Sequence, residues 1–384
     1  MPTIPPTDRP RHVAGGSALR TRAAIAVAAR TPFRIDTVSL DAPRASEVRV
    51  RMVATGVCHT DAAVRDGVIP TPLPAVLGHE GAGIVEEVGR SVSRVGVGDH
   101  VVLSANSCGS CRTCLTGRQS YCEQFWQRNF AARREDGTTA FTADGREIGS
   151  TFFGQSSFSE HANVSERSLV PVPREEDLTM LAPLGCGIHT GAGTVFTVFR
   201  PGPGASLVVF GVGAVGAAAV MAARSTGATR IIAIDIVPER RELAAELGAT
   251  HTLDGADPDL ARRVTEITGG RGVDFALDTT ARPTTLRTAC DSLAIGGMAV
   301  EVGSSPADTE VPLEVGASLG KGWTVRTVSQ GSSVPQLLIP ALIDLWRQGR
   351  FPFDRLIRRY PFTSIDRALD DAARGVTVKP VLIY

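Results

Sequence analysis

The segment LVVFGVGAVG, residues 207–216, limits the fold more than any other stretch of the chain. An apolar run ends in Gly211, Gly213 and Gly216, spaced G-x-G-x-x-G, and an alanine-rich stretch follows. The first glycine permits a tight turn, the second lets the backbone approach a pyrophosphate, and the third lets strand and helix pack closely. The N-terminus of the helix then faces the negative charge. Asp235 closes the run IIAID, nineteen residues after Gly216, where a carboxylate can hold the hydroxyls of an adenosine ribose. Its charge opposes a 2'-phosphate, which favours NAD over NADP, while Arg240 and Arg241 are cations able to reach such a phosphate. A flavin is the alternative nucleotide.

Around this loop the texture from about 190 to 330 alternates strand and helix: SLVVFGVG, AVGAAAVMAARSTG, RIIAIDI, PERRELAAELGA, VDFALDTT and GGMAVEVGSS. Such alternation predicts a parallel sheet covered on both faces by helices. From about 21 to 180, short β-branched runs such as EVRVRMVATGV, AGIVEEVG and DHVVL alternate with Gly and Pro turns, which predicts a β-rich domain. The C-terminal part reads as two amphipathic helices and a closing strand. A length of 384 residues accommodates two such domains. The expected division is a flexible tail over 1–20, a β-rich catalytic domain from 21–187 and 331–384, and a nucleotide-binding domain over 188–330.

Acidic and basic residues balance at 40 each, which argues against a nucleic-acid footprint or an anionic membrane surface. The uncharged run SLVVFGVGAVGAAAVMAA has the length of a membrane span, but its glycine spacing fits a buried strand and helix better. The start of the chain lacks the apolar core of an export signal, and the expected location is the cytoplasm.

Four of the seven cysteines, Cys108, Cys111, Cys114 and Cys122, crowd into C-x2-C-x2-C-x7-C. Four thiolates on so short a loop can close a tetrahedron around zinc and leave no open position, as in structural sites. An iron–sulfur cluster uses similar runs, but the spacing and trailing proline of the bacterial pattern are missing. Paired disulfides are the other alternative, disfavoured in a reducing compartment. Three further candidates, Cys58, His79 and Cys186, are far apart in sequence. Taken singly, a buried cysteine is usually a small apolar filler and a lone histidine a core or surface residue.

The neighbourhoods of these three carry a family resemblance. GHEGAGIVEEVG, with Gly78, His79, Glu80, Gly83 and Gly89, resembles the zinc signature of the zinc-containing medium-chain alcohol dehydrogenases. The four-cysteine loop, GCGIHTGAG and the glycine loop follow in that family's order. FFGQSSFSEHA, PLGCGIHTGAGTV and SVPQLLIPALIDLWRQGRFPFDRLIRRYPF are similar to the benzyl or aryl-alcohol dehydrogenase branch.

The resemblance implies a GroES-like β-rich catalytic domain joined to a Rossmann domain, two zinc ions per chain, and NAD. It implies Cys58, His79 and Cys186 as catalytic zinc ligands, Glu80 behind the metal, and Asp61 on the second ring nitrogen of His79. Thr60 would bond the substrate oxygen and His59 would face the pyrophosphate. Thr190, Val215 and Val302 would flank the nicotinamide, and Lys379 would sit by the pyrophosphate. Where well-known members end a proton relay in a histidine, this chain has Ala63, and His59, acting through the ribose, is the expected substitute, with ordered water as the alternative. Ser104 would form a wall of the substrate pocket, with room for an aromatic or bulky allylic primary alcohol or its aldehyde; His189 would pack near that pocket. Homodimers or homotetramers are expected. The alternatives are a reductase delivering hydride to a conjugated alkene or iminium carbon, and a non-catalytic protein binding zinc and nucleotide.

Overall fold

The computed structural model describes residues 18–384 apart from 307, so most of the expected N-terminal tail lies outside the described residues. Regular structure begins within that tail's expected range, with a strand over Leu19–Ala26.

Six parallel strands form the sheet that carries the glycine loop. Their order is His251–Asp254, Arg230–Asp235, Ser206–Phe210, Val273–Asp278, Leu293–Glu301 and Thr324–Thr327. Counted along the chain this is 3-2-1-4-5-6, the doubly wound order, whose crevice opens at the carboxyl ends of the strands where the order reverses. SLVVF is apolar throughout because both faces of its strand are covered: Val208 and Phe210 pack into one core, Leu207 and Val209 into the other. The helix Ala214–Arg224 presents Ala217, Ala218, Ala219, Ala222 and Ala223 fully buried, and these small side chains let it lie close to its neighbours.

The rest of the chain is β-rich. A seven-stranded sheet runs Leu169–Val172, His100–Leu103, Gly81–Val88, Glu47–Gly56, Lys379–Ile383 and Ile357–Pro361, with His161–Ser165 paired on Glu47–Gly56. A five-stranded sheet, containing Leu19–Ala26 and Arg34–Leu40, covers it. The C-terminal segment forms the two expected helices, Pro335–Arg347 and Ile365–Ala373, and the closing strand, and adds one strand, Ile357–Pro361, that the sequence pattern did not predict. The closing strand pairs with Glu47–Gly56, so Val381 lies opposite Gly56 and Lys379 is delivered beside Cys58. No helix among the described residues is long and apolar enough to cross a membrane.

Candidate active site

The strand Glu47–Gly56 ends where a side chain would not fit: a methyl on Gly56 would lie 1.9 Å from Glu80 Oε2. Cys58 follows and caps the helix His59–Arg65, its backbone N–H donating to Asp61 Oδ2 at 3.1 Å. Asp61 is fully buried, and its Oδ1 accepts from Gly78 N at 3.2 Å and from His79 Nδ1 at 2.9 Å. A carboxylate accepts only, so Nδ1 carries the proton and the lone pair is left on Nε2. That Nε2 is buried and has no hydrogen-bond partner among the described residues. Cys186 caps the helix Gly187–Gly193. One ligand atom from each of Cys58, His79, Glu80 and Cys186 lies within 4.8 Å of all the others. Two sulfurs beside an unpartnered imidazole nitrogen, with the ring's other nitrogen on a carboxylate, form a donor set suited to zinc.

The electrostatics are those of tightly packed donors. The hydrogen bond from Cys186 holds the Cys58 thiol well below its ordinary range, helped by His79 and Lys379 against the effect of burial. Cys186 is driven up by that same bond and by burial. Burial pushes His79 down, but Asp61 and Cys58 outweigh it and the net shift is upward. Glu80 is pushed up by burial, with Lys379 opposing. For Lys379 burial acts downward, and the Glu80 charge more than offsets it.

Aromatic rings close the far side. Phe153 stacks on His79 with centroids 4.5 Å apart, and Phe152 meets it edge-on at 5.7 Å. Gln155 Nε2 donates to His79 O and Ser104 O, and its Oε1 accepts from Gly81 N.

The second cluster comprises Cys108, Cys111, Cys114 and Cys122. Its sulfurs lie 3.9 Å apart for Cys108 and Cys114 and 4.0 Å for Cys111 and Cys122. A tetrahedron of about 2.3 Å zinc–sulfur bonds has edges of about 3.8 Å. Backbone N–H groups of Cys108, Ser110, Cys111 and Gln124 point at sulfurs of the loop, as thiolates require. All seven cysteines are free.

At the glycine loop, Gly211 takes φ +86° and a methyl on Gly216 would lie 1.8 Å from Gly211 O, so both positions require glycine. A methyl on Gly213, the cap of the following helix, would meet nothing within 4 Å, which leaves room there for a phosphate. Asp235 accepts from Val212 N at 2.7 Å and from Val237 N at 2.9 Å, with the Arg240 guanidinium 3.9 Å away. The loop adjoins the first cluster: a methyl at Gly187 would stand 3.7 Å from each of Ala214 Cβ, Glu80 Oε1 and Lys379 Nζ.

His59 is exposed and Thr60 half-buried on the first turn after Cys58, and Ala63 is buried. Thr190 is buried, and Val215 and Val302 are half-buried beside the crevice. One expectation, that for Ser104, needs correction. Lys379 stands where the ligand cluster adjoins the glycine loop, its Nζ 2.9 Å from both Glu80 oxygens and 3.2 Å from Val57 O, because a buried carboxylate demands a counter-charge. Ser104 is fully buried and donates to Gly185 O, so it packs behind Cys186 and is not an open pocket wall. His189 is buried with Nδ1 donating to Leu184 O, and burial pushes it down to about 4. Phe152, Phe153 and Gln155 were missed individually, although they belong to the quoted segment FFGQSSF. Gln330, whose Nε2 reaches Cys186 Sγ, gave no signal.

Two family patterns match the chain: an alcohol dehydrogenase GroES-like domain over residues 44–174 and a zinc-binding dehydrogenase over residues 214–346. The chain is 44% identical to a geraniol dehydrogenase of Castellaniella defragrans over 355 residues, 92% of this chain and 95% of that one. It is 35% identical to the class-3 alcohol dehydrogenase of Myxine glutinosa over 376 residues, 96% and 98% of the two chains. An alcohol dehydrogenase zinc-binding domain protein from Burkholderia ambifaria superposes with a TM-score of 0.93 at 48% identity, covering 96% of this chain and 99% of the other. The benzyl alcohol dehydrogenase of Acinetobacter calcoaceticus does so at 0.92 and 42%, covering 95% and 99%. With two sulfurs and an imidazole converging beside a nucleotide crevice, and relatives matched over nearly their whole length, the chain belongs to the zinc-dependent medium-chain alcohol dehydrogenases, oxidoreductases that work with zinc and NAD(P).

Proposed function

We propose that the chain interconverts a primary allylic or aromatic alcohol and its aldehyde with NAD, using Cys58, His79 and Cys186 as ligands of a reactive zinc. The main support is the unpartnered, buried Nε2 of His79 among the two sulfurs, at the crevice edge. The substrate class comes from the named activities of two relatives, geraniol and benzyl alcohol, which share an unsaturated carbon next to the carbinol. Zinc, when bound, supplies Lewis acidity that makes a hydroxyl easier to deprotonate, and NAD supplies the hydride acceptor.

The chain's own residues do the rest. Asp61 fixes the His79 tautomer, so that Nε2 faces the ion. The Thr60 hydroxyl accepts the proton of the substrate hydroxyl as it gives up its own, and the exposed His59 takes a proton and hands it to solvent in place of the base that Ala63 cannot provide. Glu80 and Lys379 form a charged pair behind the ligands. Gly211, Gly213 and Gly216 leave space for the pyrophosphate, Asp235 takes the adenosine ribose, Arg240 lies beside it, and Thr190, Val215 and Val302 flank the nicotinamide. The Asp235 carboxylate disfavours a 2'-phosphate, hence NAD. Cys108, Cys111, Cys114 and Cys122 hold a second, structural zinc, giving two per chain.

The domain division 21–187 with 331–384, against 188–330, is supported by the pairing of the C-terminal strand with Glu47–Gly56. Homodimers or homotetramers are supported by the edge strand Thr324–Thr327, exposed along its length, with Ile295, Val315 and Leu319 each more than four-fifths exposed. Free thiols throughout fit a reducing compartment such as the cytoplasm. The test is zinc counting on purified protein with an alcohol panel in NAD and NADP. Two zinc ions, preference for geraniol or benzyl alcohol over ethanol, and preference for NAD are expected. Turnover that survives selective loss of the reactive zinc would overturn the proposal.

A further inference from the structure

One side chain beside Cys186 has no part in the account above. Gln330 extends its amide so that Nε2 donates to Cys186 Sγ at 3.7 Å. The same amide faces His189, one helical turn beyond Cys186; His189 Nε2 and Gln330 Oε1 are both buried and neither has a hydrogen-bond partner of good geometry among the described residues. A thiolate that serves a metal has lone pairs and no proton, so it can be met only by a donor. Reversing the amide would set Oε1 against the sulfur and cost that interaction; a deprotonated Cys186 therefore fixes the side chain with its nitrogen inward.

The backbone carrying Gln330 is held in an unusual conformation. Gln330, Gly331 and Ser332 have φ of +50°, +63° and +47°, three successive residues in the left-handed region, two of them not glycine. On the inner side, a methyl on Gly331 would lie 2.8 Å from Gly193 Cα and from Thr190 O, and Gly331 O accepts from Thr197 Oγ1 at 2.7 Å. On the outer side the four-cysteine loop grips the turn. The Tyr121 hydroxyl lies 3.0 Å from Ser332 Oγ and donates to Thr327 O at 3.2 Å, and Gln119 Nε2 donates to Gln336 Oε1 at 2.9 Å. Gln119 and Tyr121 both fall between Cys114 and Cys122, within the span that the four sulfurs close.

We propose that Gln330 is a positioning residue of the reactive metal centre, its amide donating to the Cys186 thiolate, and that the four-cysteine loop serves the reaction by holding Gln330 there through Tyr121 and Ser332. This rests on the metal assignment proposed above. A hydrogen bond to a ligating sulfur lowers the negative charge that sulfur gives the ion, which tunes the ion without touching substrate. It also gives a metal loop that does no chemistry a route to the centre that does.

The test uses full-length protein with zinc in the four-cysteine loop and cobalt(II) in the reactive site. The thiolate-to-cobalt charge-transfer band and the rate of cobalt release to a chelator are read at matched loop-zinc content. Gln330→Ala, and Gln330→Met as a variant close in volume that cannot donate, should move the band to longer wavelength, because the sulfur gains donor charge, and release cobalt about tenfold faster, because a sulfur without its donor is more readily protonated and no longer held in place. Tyr121→Phe should move both in the same direction by less. An unshifted band and unchanged release in Gln330→Met would overturn the role of Gln330. A shift in Gln330→Met with wild-type behaviour in Tyr121→Phe would overturn the coupling to the cysteine loop. Wild-type protein that takes up one metal per chain and shows no such band would overturn the metal assignment instead, which keeps the two failures apart.

Discussion

Replacing Lys379 with Met tests whether the polar layer behind the ligands is held together as an ion pair. Lys379 is 2% exposed and Glu80 fully buried, with Nζ 2.9 Å from both carboxylate oxygens. Two unit charges at that distance attract by about 6 kcal/mol for an effective dielectric of about 20. Desolvation offsets part of this, and removing one partner of a buried pair typically costs about 3–5 kcal/mol because the other charge is left unpaired. Gly187 N, at 3.2 Å from Oε1, remains to Glu80 but brings no full charge. The expected loss for Lys379→Met is therefore about 3–5 kcal/mol in guanidinium unfolding followed by circular dichroism. The pH dependence has a definite sign. The folded pKa of Lys379 is raised, so its contribution is complete below the unfolded value of about 10.4 and fades only as pH rises through the folded one. Lys379 is also what opposes the effect of burial on Glu80, so in the variant Glu80 is pushed up further, and the difference between wild type and variant should widen as pH rises above about 4.5. Adding Glu80→Gln to Lys379→Met should recover most of the loss, since no buried charge is then left over. A single variant within about 1 kcal/mol of wild type, or a double variant as unstable as the single, would refute the ion-pair account.

Three further outcomes follow from other parts of the structure. Burial, together with the Asp278 carboxylate opposite it in register, pushes Glu301 up to about 8, so wild-type stability should fall as pH rises from about 4.5 to about 8. Glu301→Gln should flatten that fall; an unchanged slope in a thermal-unfolding series against pH would count against the shared-proton pair. Cys114→Ser should lower bound zinc from two to one per chain, with the remaining ion still chelatable from the reactive site, and metal analysis that still finds two would contradict the four-sulfur site. Asp235→Ser removes the charge facing a 2'-phosphate while Arg240 stays beside it, so the preference for NAD should narrow by about tenfold or more, read as the ratio of kcat/KM for the two cofactors; an unchanged ratio would place cofactor selection elsewhere.

What was legible in the sequence was what is local in the chain. The glycine loop obeys a rule of backbone geometry that operates within ten residues, read together with the apolar run before it and the alanine-rich stretch after it, and the four-cysteine loop closes within fifteen, so local pattern pointed to both. Cys58 and His79 flank two strands that pair, Glu47–Gly56 and Gly81–Val88, while Cys186 caps the helix Gly187–Gly193, and no spacing rule connects the three; only family likeness did. Lys379 illustrates the limit. Its charge marks it as a partner for some anion, and likeness suggested a phosphate; nothing in the sequence discloses that its Nζ also reaches the buried Glu80 carboxylate, 299 residues away along the chain. Ser104 fails for a similar reason: a small polar residue reads equally well as open space or as a buried hydroxyl satisfied by a distant carbonyl, here that of Gly185.

Backbone strain was the least legible feature of all, and it is concentrated around the candidate site. Ten non-glycine residues among those described have positive φ, and five of them, Thr151, Phe153, Ser156, Gln330 and Ser332, lie on two turns that bracket His79 and Cys186. Each such residue costs about 1–2 kcal/mol relative to ordinary backbone. Threonine, phenylalanine and glutamine are not residue types that favour this region, so nothing in their identity signals it. Glycine at these positions would relieve the backbone but delete the side chains the turns present: Phe153 would no longer stack on His79, the Ser156 hydroxyl would no longer donate to Val76 O, and Gln330 would no longer reach Cys186. At Phe153, Ser156 and Gln330 those contacts account for the strained backbone, because local preference opposes the conformation adopted and the packing around the two ligands rewards it; the Thr151 hydroxyl is buried without a partner among the described residues and has no such account.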